Sequence, residues 1–369
     1  MKPVSRLSIV SIAVGLVITA CTGGGSSQSA ATASSGASGS TAVADICTNP
    51  PRADGKTITF AASGGSYQAA EDKAWLQPYA KLTGIQFQES EVNAYPQIKA
   101  QVDAGQVNWD VVDVGNDFGT DIDAKYLEPI DYTKVHKDEL LAGFANTYRV
   151  AAITYGTVLA YNTTKTNGQV PQSWADFFDT TKFPGKRGVW DYSTGGLFEI
   201  ALMADGVAPK NLYPLDLARA TKKLDTIKKD LVFWQSGAQS VDLLESGEVT
   251  MSMMWNNRAY AAKNADHKPV EIQWNGQILT SDYMVVPKGS PNKDLAMNFI
   301  AWLTCKENNG NLSNIIPNGP VNKFAKPDAS RIPDLPTSHV DASTAYFDDV
   351  WLGQNAKLLD DTYAAWKTK

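Results

Sequence analysis

Two long apolar stretches, residues 151–162 (AAITYGTVLAYN) and 271–287, constrain the fold more than any other feature of the chain. Each is long enough to run as extended chain from one sheet into another. Before the first, strand and helix patterns alternate. Residues 56–62 (KTITFAA) read as a buried strand, and Ser63-Gly64-Gly65-Ser66-Tyr67 as a tight glycine turn. A helix over 68–83 stopped by Gly84, a strand over 85–89, a helix over 95–104 and a third strand over 109–114 follow. The alternation resumes between the two stretches. Strands are predicted at 188–190, 231–234 and 249–255, with helices at 195–205, 215–229 and 241–246, the last ended by Gly247. In the helix over 215–229, Leu217, Ala220, Leu224 and Ile227 share one stripe, leaving Lys222, Lys223, Lys228 and Lys229 on the wet face. Such alternation implies parallel sheets covered on both faces. Two crossings between two α/β regions describe hinged lobes that close on a cleft, where ligands of open α/β sheets gather at strand ends.

The N-terminus sets the compartment. Lys2 and Arg6 precede an apolar run over 7–20, too short for the ~20 residues that span a bilayer, so residues 1–21 read as an export signal. Its end, Ile18-Thr19-Ala20-Cys21, resembles a bacterial lipobox, with Cys21 as the lipidated residue. Residues 22–50, rich in Gly, Ser, Ala and Thr at the start, are expected to form a tether, because they bury too little apolar surface to offset the entropy of ordering. With Cys21 lipidated, Cys47 and Cys305 remain as a pair in a compartment where disulfides persist, and a bond between them is expected. A net charge of −6 and no basic run in the body exclude a nucleic-acid partner.

Several segments in order and spacing resemble the bacterial extracellular solute-binding proteins of ABC importers, in the spermidine/putrescine-binding branch that also holds γ-aminobutyrate-type binders. They are Ser173-Trp174-Ala175-Asp176-Phe177-Phe178, Phe183-Pro184-Gly185-Lys186, Gly247-Glu248-Val249, Trp255-Asn256-Asn257-Arg258-Ala259-Tyr260, and Asp282 before Val285-Val286-Pro287. Ala296-Met297-Asn298-Phe299-Ile300-Ala301-Trp302-Leu303 and Ile316-Pro317-Asn318 complete the set. The resemblance implies a two-lobed periplasmic-binding-protein fold of type II, each lobe a mixed sheet flanked by helices, joined by crossover hinge strands. Lobe 1 is expected over 51–154 plus 283–316, and lobe 2 over 155–282 plus 317–369. It also implies a monomer without cofactor or enzymatic activity, lipid-anchored on the outer side of the cytoplasmic membrane or in the periplasm, that hands a small solute to a permease and its ATPase.

In polyamine-binding relatives aromatic rings sandwich the methylene chain and acidic residues hold the ammonium ends. Trp255 and Asp282 match two such positions, while Ser193 and Gly196 stand where those relatives offer a pair of acids. Arg258, three residues after Trp255, is the informative departure. A guanidinium repels a dication and matches a carboxylate bidentately. With Asp282 it would suit a zwitterion such as γ-aminobutyrate; otherwise Arg258 is a salt-bridged surface residue, Trp255 a packed strand end and Asp282 a hinge carboxylate. The ring of Tyr67 and the hydroxyl of Ser66 are candidates for the far wall. Asp117 after the third strand, and Tyr192, Ser236 and Gln239 after strands of the second lobe, complete the candidate ligand residues.

Other chemistry finds little support. The three histidines, His136, His267 and His339, stand in no catalytic motif, and no Cys or His cluster has metal-ligand spacing. Ser63-Gly64-Gly65-Ser66 keeps an oxyanion ligand open as a rival class. A metal or sugar binder and a two-lobed surface enzyme are the remaining alternatives.

Overall fold

The computed structural model describes residues 45–369. The expected export signal, the expected lipidation site Cys21 and most of the expected tether lie outside the described residues.

Among these residues the strands join into one ten-stranded mixed sheet. Its strands are β1 Thr57–Ala61, β2 Gln86–Ser90, β3 Val111–Val114, β4 Val150–Asn162, β5 Lys186–Trp190, β6 Leu231–Trp234, β7 Val249–Trp255, β8 Val270–Val285, and the short β9 Gly319–Pro320 and β10 Ala345–Tyr346. The order is β2-β1-β3-β8-β4-β7-β5-β6, with β9 on β4 and β10 on β8. β1 runs parallel to β2 and β3, and β5 parallel to β6 and β7. Between these parallel blocks, β8 pairs antiparallel with β3 and β4, and β4 antiparallel with β7. The expectation of parallel sheets therefore holds at the two ends, and in the centre only for the short pairing of β10 with β8. The long apolar stretches are not linkers between sheets but the shared centre of one.

Two hydrophobic cores flank that centre. The first packs Ile58, Phe60, Val112 and Met284 against Phe299 and Trp302 of the helix Lys293–Thr304. The second packs Val189, Phe198, Leu244 and Met253 against Leu359 and Trp366 of the C-terminal helix Asp349–Thr368. β4 leaves the first core after Ile153 and enters the second at Leu159, and β8 crosses the other way, leaving the second after Ile278 and entering the first at Tyr283. Thr154–Val158 and Leu279–Asp282 are thus the chain that passes between lobes. The register of β4 against β8 breaks here too, between Thr157 and Leu159. The extra residues of β8 turn at Gly276, whose φ of +79° requires glycine and whose carbonyl accepts from Trp174 Nε1 at 2.7 Å.

The chain stays with the first lobe later than residue 316. Val321 belongs to the first core, and Asn322 Nδ2 donates to Thr304 O at 2.9 Å. Cys47 and Cys305 are disulfide-bonded at Sγ–Sγ 2.06 Å, tying the start of the body to the end of the helix Lys293–Thr304. His136 lies close to both sulfurs, but with the thiols bonded to each other this group holds no metal.

Helix boundaries follow local caps. The helix expected at 241–246 begins earlier and spans Gly237–Glu245, because Ser236 Oγ accepts from Gln239 N at 3.2 Å. The helix expected over 68–83 starts at Gly65 and runs to Thr83 through one wider turn at Asp72–Leu76.

Candidate functional site

A cavity of about 190 Å³ sits where the two crossing segments meet the strand ends. Each wall has a reason in the fold. Tyr155 and Asp282 come from the β4 and β8 crossings; Tyr155 packs by one side against the first core and, with Asp282, lines the cleft. Ser63 and Tyr67 come from the turn after β1, where Gly64 and Gly65 take φ of +72° and +66°. Trp255 ends β7, and Asn257 and Arg258 stand on the single-turn helix Asn256–Tyr260 that follows. Buried Asn256 fixes that turn: its Oδ1 accepts from Gly156 N at 2.9 Å and its Nδ2 donates to Pro317 O at 2.6 Å. Asn257 Nδ2 in turn donates to Asn318 Oδ1 at 3.2 Å, bringing Asn318 into the wall.

Trp255 is held by two other indoles. Its ring meets Trp190 edge-on at 5.0 Å and Trp234 edge-on at 5.5 Å, and those two stack at 5.8 Å. Edge-to-face packing of this kind fixes the ring so that its remaining surface is presented to the cavity.

The electrostatics are polarised. Asp282 has no cation in ion-pair contact among the described residues, and its remaining exposed surface is turned to the cavity. Burial, and then the nearby Asp113 carboxylate, raise its pKa well above the usual carboxylate range, while the Tyr67 and Tyr155 hydroxyls pull the other way. Tyr67 Oη lies near these carboxylates without meeting hydrogen-bond geometry to either. At the other pole, Arg258 makes no ion pair with any described residue, and its buried Nε has no hydrogen-bond partner. The surface salt bridge offered above as its alternative role is absent among the described residues. A Cβ on Gly237 would come within 2.7 Å of Arg258 Nε, so glycine at the start of the helix Gly237–Glu245 makes room for the guanidinium.

The remaining candidates divide. Ser66 is exposed and outside the cavity wall, because the glycine turn points it outward; Ser63 takes that place. Gly64 N–H is already given to Gln68 Oε1 at 2.9 Å, which weakens the turn as an oxyanion nest. Ser236 and Gln239 are occupied in capping and do not line the cavity, with Gln239 Oε1 accepting from Gln235 N at 2.9 Å. Asp117 and Tyr192 line an adjoining cavity of about 250 Å³ that shares Tyr155 and Trp255 with the first. There Asp117 accepts from Tyr95 Oη and from Tyr192 Oη, each at 2.7 Å. Tyr155, Asn257, Asn318 and Ser63 line the cavity without being among the ligand residues expected from the sequence. Tyr155-Gly156 interrupting an otherwise apolar run was the one available signal for the first of them.

A family model of bacterial extracellular solute-binding proteins matches residues 74–337. The chain belongs to that family. This solute-binding protein is 33% identical over 331 residues to the gamma-aminobutyric acid-binding protein of Pseudomonas aeruginosa, covering 86% of this chain and 93% of that one. It is 26% identical over 202 residues to the spermidine/putrescine-binding periplasmic protein of Salmonella typhimurium, covering 52% of this chain and 57% of that one. Among solved structures it superposes on the Atu4243-GABA receptor with a TM-score of 0.79 at 37% identity, over 85% of this chain and 98% of that one. The family and the two-lobed fold expected from the residues both hold.

Proposed function

We propose that the protein is the binding component of an ABC importer for a small ω-amino acid, with γ-aminobutyrate as the type ligand. Arg258 receives the ligand carboxylate, Asp282 receives the ammonium, and the methylene chain lies against Trp255. One observation carries this reading: a guanidinium and a carboxylate, neither ion-paired to a described residue, line the same small cavity. A partly buried guanidinium without a counter-charge, and a carboxyl that burial keeps from ionising, are both completed by a ligand carrying the opposite charges. A zwitterion is such a ligand, whereas a diamine leaves Arg258 unmatched. The volume, below the ~300–1,000 Å³ of sites for drug-sized ligands, favours a short metabolite over a sugar chain or peptide. The γ-aminobutyrate-binding relatives named above support the same ligand class.

Export through residues 1–21, lipidation at Cys21 and delivery to a permease and ATPase belong to this proposal. So does a role without catalysis, since no residue in the cavity wall pairs a nucleophile with a base. A thermal-shift panel of γ-aminobutyrate, proteinogenic amino acids, putrescine, spermidine, sugars and oxyanions tests it. A ligand at a hundredfold excess over its Kd stabilises by about 2.7 kcal/mol, so an amino-acid response is easily read. A response to polyamines alone removes Arg258 from the site.

A further inference from the structure

Behind the amine end of the cavity lie two acids that the ligand does not reach. Glu71, at the end of the helix segment Gly65–Glu71, is 0% exposed, and neither of its carboxylate oxygens has a hydrogen-bond partner. Asp113 on β3 is 3% exposed, and its Oδ2 is likewise unpartnered. Glu71, Asp113 and Asp282 act on one another electrostatically, with Tyr67 Oη among them. The groups facing this trio from the surrounding elements are few. Glu89 on β2 accepts from Gln68 Nε2 at 2.9 Å, Asp117 is held by two tyrosines, and Tyr155 reaches in from β4. No Lys, Arg or His among the described residues is ion-paired with any of the three acids.

Two fully buried carboxyls beside a third that lines the cavity cannot all ionise, so the group retains protons and titrates as a unit. Burial pushes Asp113 up to about 7 and Glu71 well above the carboxylate range. An ammonium that enters beside Asp282 supplies the missing positive charge and three donors, which reverses the balance for that carboxyl.

We propose that Glu71 and Asp113 make the amine end of the cavity a proton-exchange site, in which the ligand's ammonium displaces a proton from the carboxyl of Asp282. The proposal rests on the reading of the cavity as an amino-acid site. The ammonium keeps its own three protons, no covalent bond to the ligand forms, and the Asp282 proton leaves to solvent. Uptake is thereby linked to pH: the ligand binds more tightly as pH rises, until the trio is deprotonated without it. The site also selects for a fixed cation, because an isosteric ligand lacking the ammonium leaves the proton in place and gains no ion pair.

Titration calorimetry of the exported body with γ-aminobutyrate, in phosphate and in Tris at pH 7, measures the proton directly. These buffers differ widely in ionisation enthalpy. The proposal predicts apparent enthalpies that differ by the heat of close to one buffer protonation per ligand. It also predicts a Kd that rises toward pH 5.5, by about tenfold per pH unit at the limit for one proton. The ligand's own amine, with a pKa of about 10.4 like that of lysine, stays charged throughout and contributes nothing to this slope. Asp113→Asn removes the charge that helps hold the proton on Asp282 and should lower the number released; if that variant does not fold, the wild-type buffer comparison decides alone. Binding with equal enthalpies in both buffers and a flat Kd overturns the proposal while leaving the ligand reading intact. Silence toward γ-aminobutyrate and every other amino acid overturns both.

Discussion

Tyr192 of the second lobe donates its hydroxyl to Asp117 of the first at 2.7 Å, in the wall of the cavity that adjoins the one lined by Arg258 and Asp282. Asp117 is held in turn by Tyr95, whose ring stacks on Phe118 at 4.5 Å. Tyr192→Phe removes only the cross-lobe bond. A hydrogen bond to a charged acceptor at a partly exposed site contributes on the order of 1 kcal/mol. Ligand affinity should fall about fivefold with little change in ligand-free melting temperature, read by calorimetry beside a melting curve. An unchanged Kd means that the bond plays no part in the ligand-bound arrangement.

A second contact between lobes is buried. Arg149, 2% exposed at its side chain, donates to Asp349 Oδ2 at 2.5 Å and to the carbonyls of Asn116 and Phe118 at 2.7 Å each. Its guanidinium also lies 3.8 Å from the centre of the Tyr283 ring. Asp349 opens the C-terminal helix, whose buried side chains belong to the second core. Asp349→Asn leaves the guanidinium without its counter-charge, and breaking such a pair costs about 3–5 kcal/mol. Denaturant unfolding should report a loss of that order, and a loss below 1 kcal/mol contradicts the clasp.

The disulfide Cys47–Cys305 closes a loop spanning 258 positions. Its removal in a Cys47→Ala, Cys305→Ala double variant should cost about 2–5 kcal/mol, mostly through the unfolded chain. Melting temperature under oxidising conditions checks this, and ligand affinity should be unchanged because both cysteines sit outside the cavity wall.

Buried Glu199 gives a pH dependence with a definite sign. Burial pushes its carboxyl up to about 7, against the pull of Tyr213 Oη, which donates to it at 2.7 Å. Between its ordinary value near 4.5 and 7 the folded protein holds a proton that the unfolded chain releases, so stability falls as pH rises through that window. The total is about 3 kcal/mol by order of magnitude. Glu199→Gln keeps the acceptor for Tyr213 and removes the titration. The decline in stability from pH 5 to pH 8 should be visibly shallower in this variant, and a slope equal to wild type rules Glu199 out as its source.

Much of this was legible in the chain because local signals agree with the tertiary structure. β6 and β7 fall where their apolar runs predict, and 151–162 and 271–287 announce themselves as crossings by apolar length alone. Trp255, Arg258, Asp282 and Tyr67 were named and do line one cavity. The C-terminal helix escaped notice because its buried Leu352, Leu359, Tyr363 and Trp366 are spread thinly over 20 residues. Glu71 and Asp113 carry no local signal, since burial without a partner is a property of packing that no local pattern encodes. Ser236 and Gln239 stand after a strand of the second lobe as expected, but the structure uses them to cap the helix Gly237–Glu245.

The pairing of Arg258 with a ligand carboxylate is tested most directly by calorimetry of γ-aminobutyrate and putrescine against wild type and Arg258→Ala. Truncating one member of a desolvated charge pair costs about 2–5 kcal/mol, so γ-aminobutyrate affinity should fall by thirtyfold or more, while putrescine binding stays equal or improves. γ-Aminobutyrate affinity that is the same in both proteins would contradict the central claim.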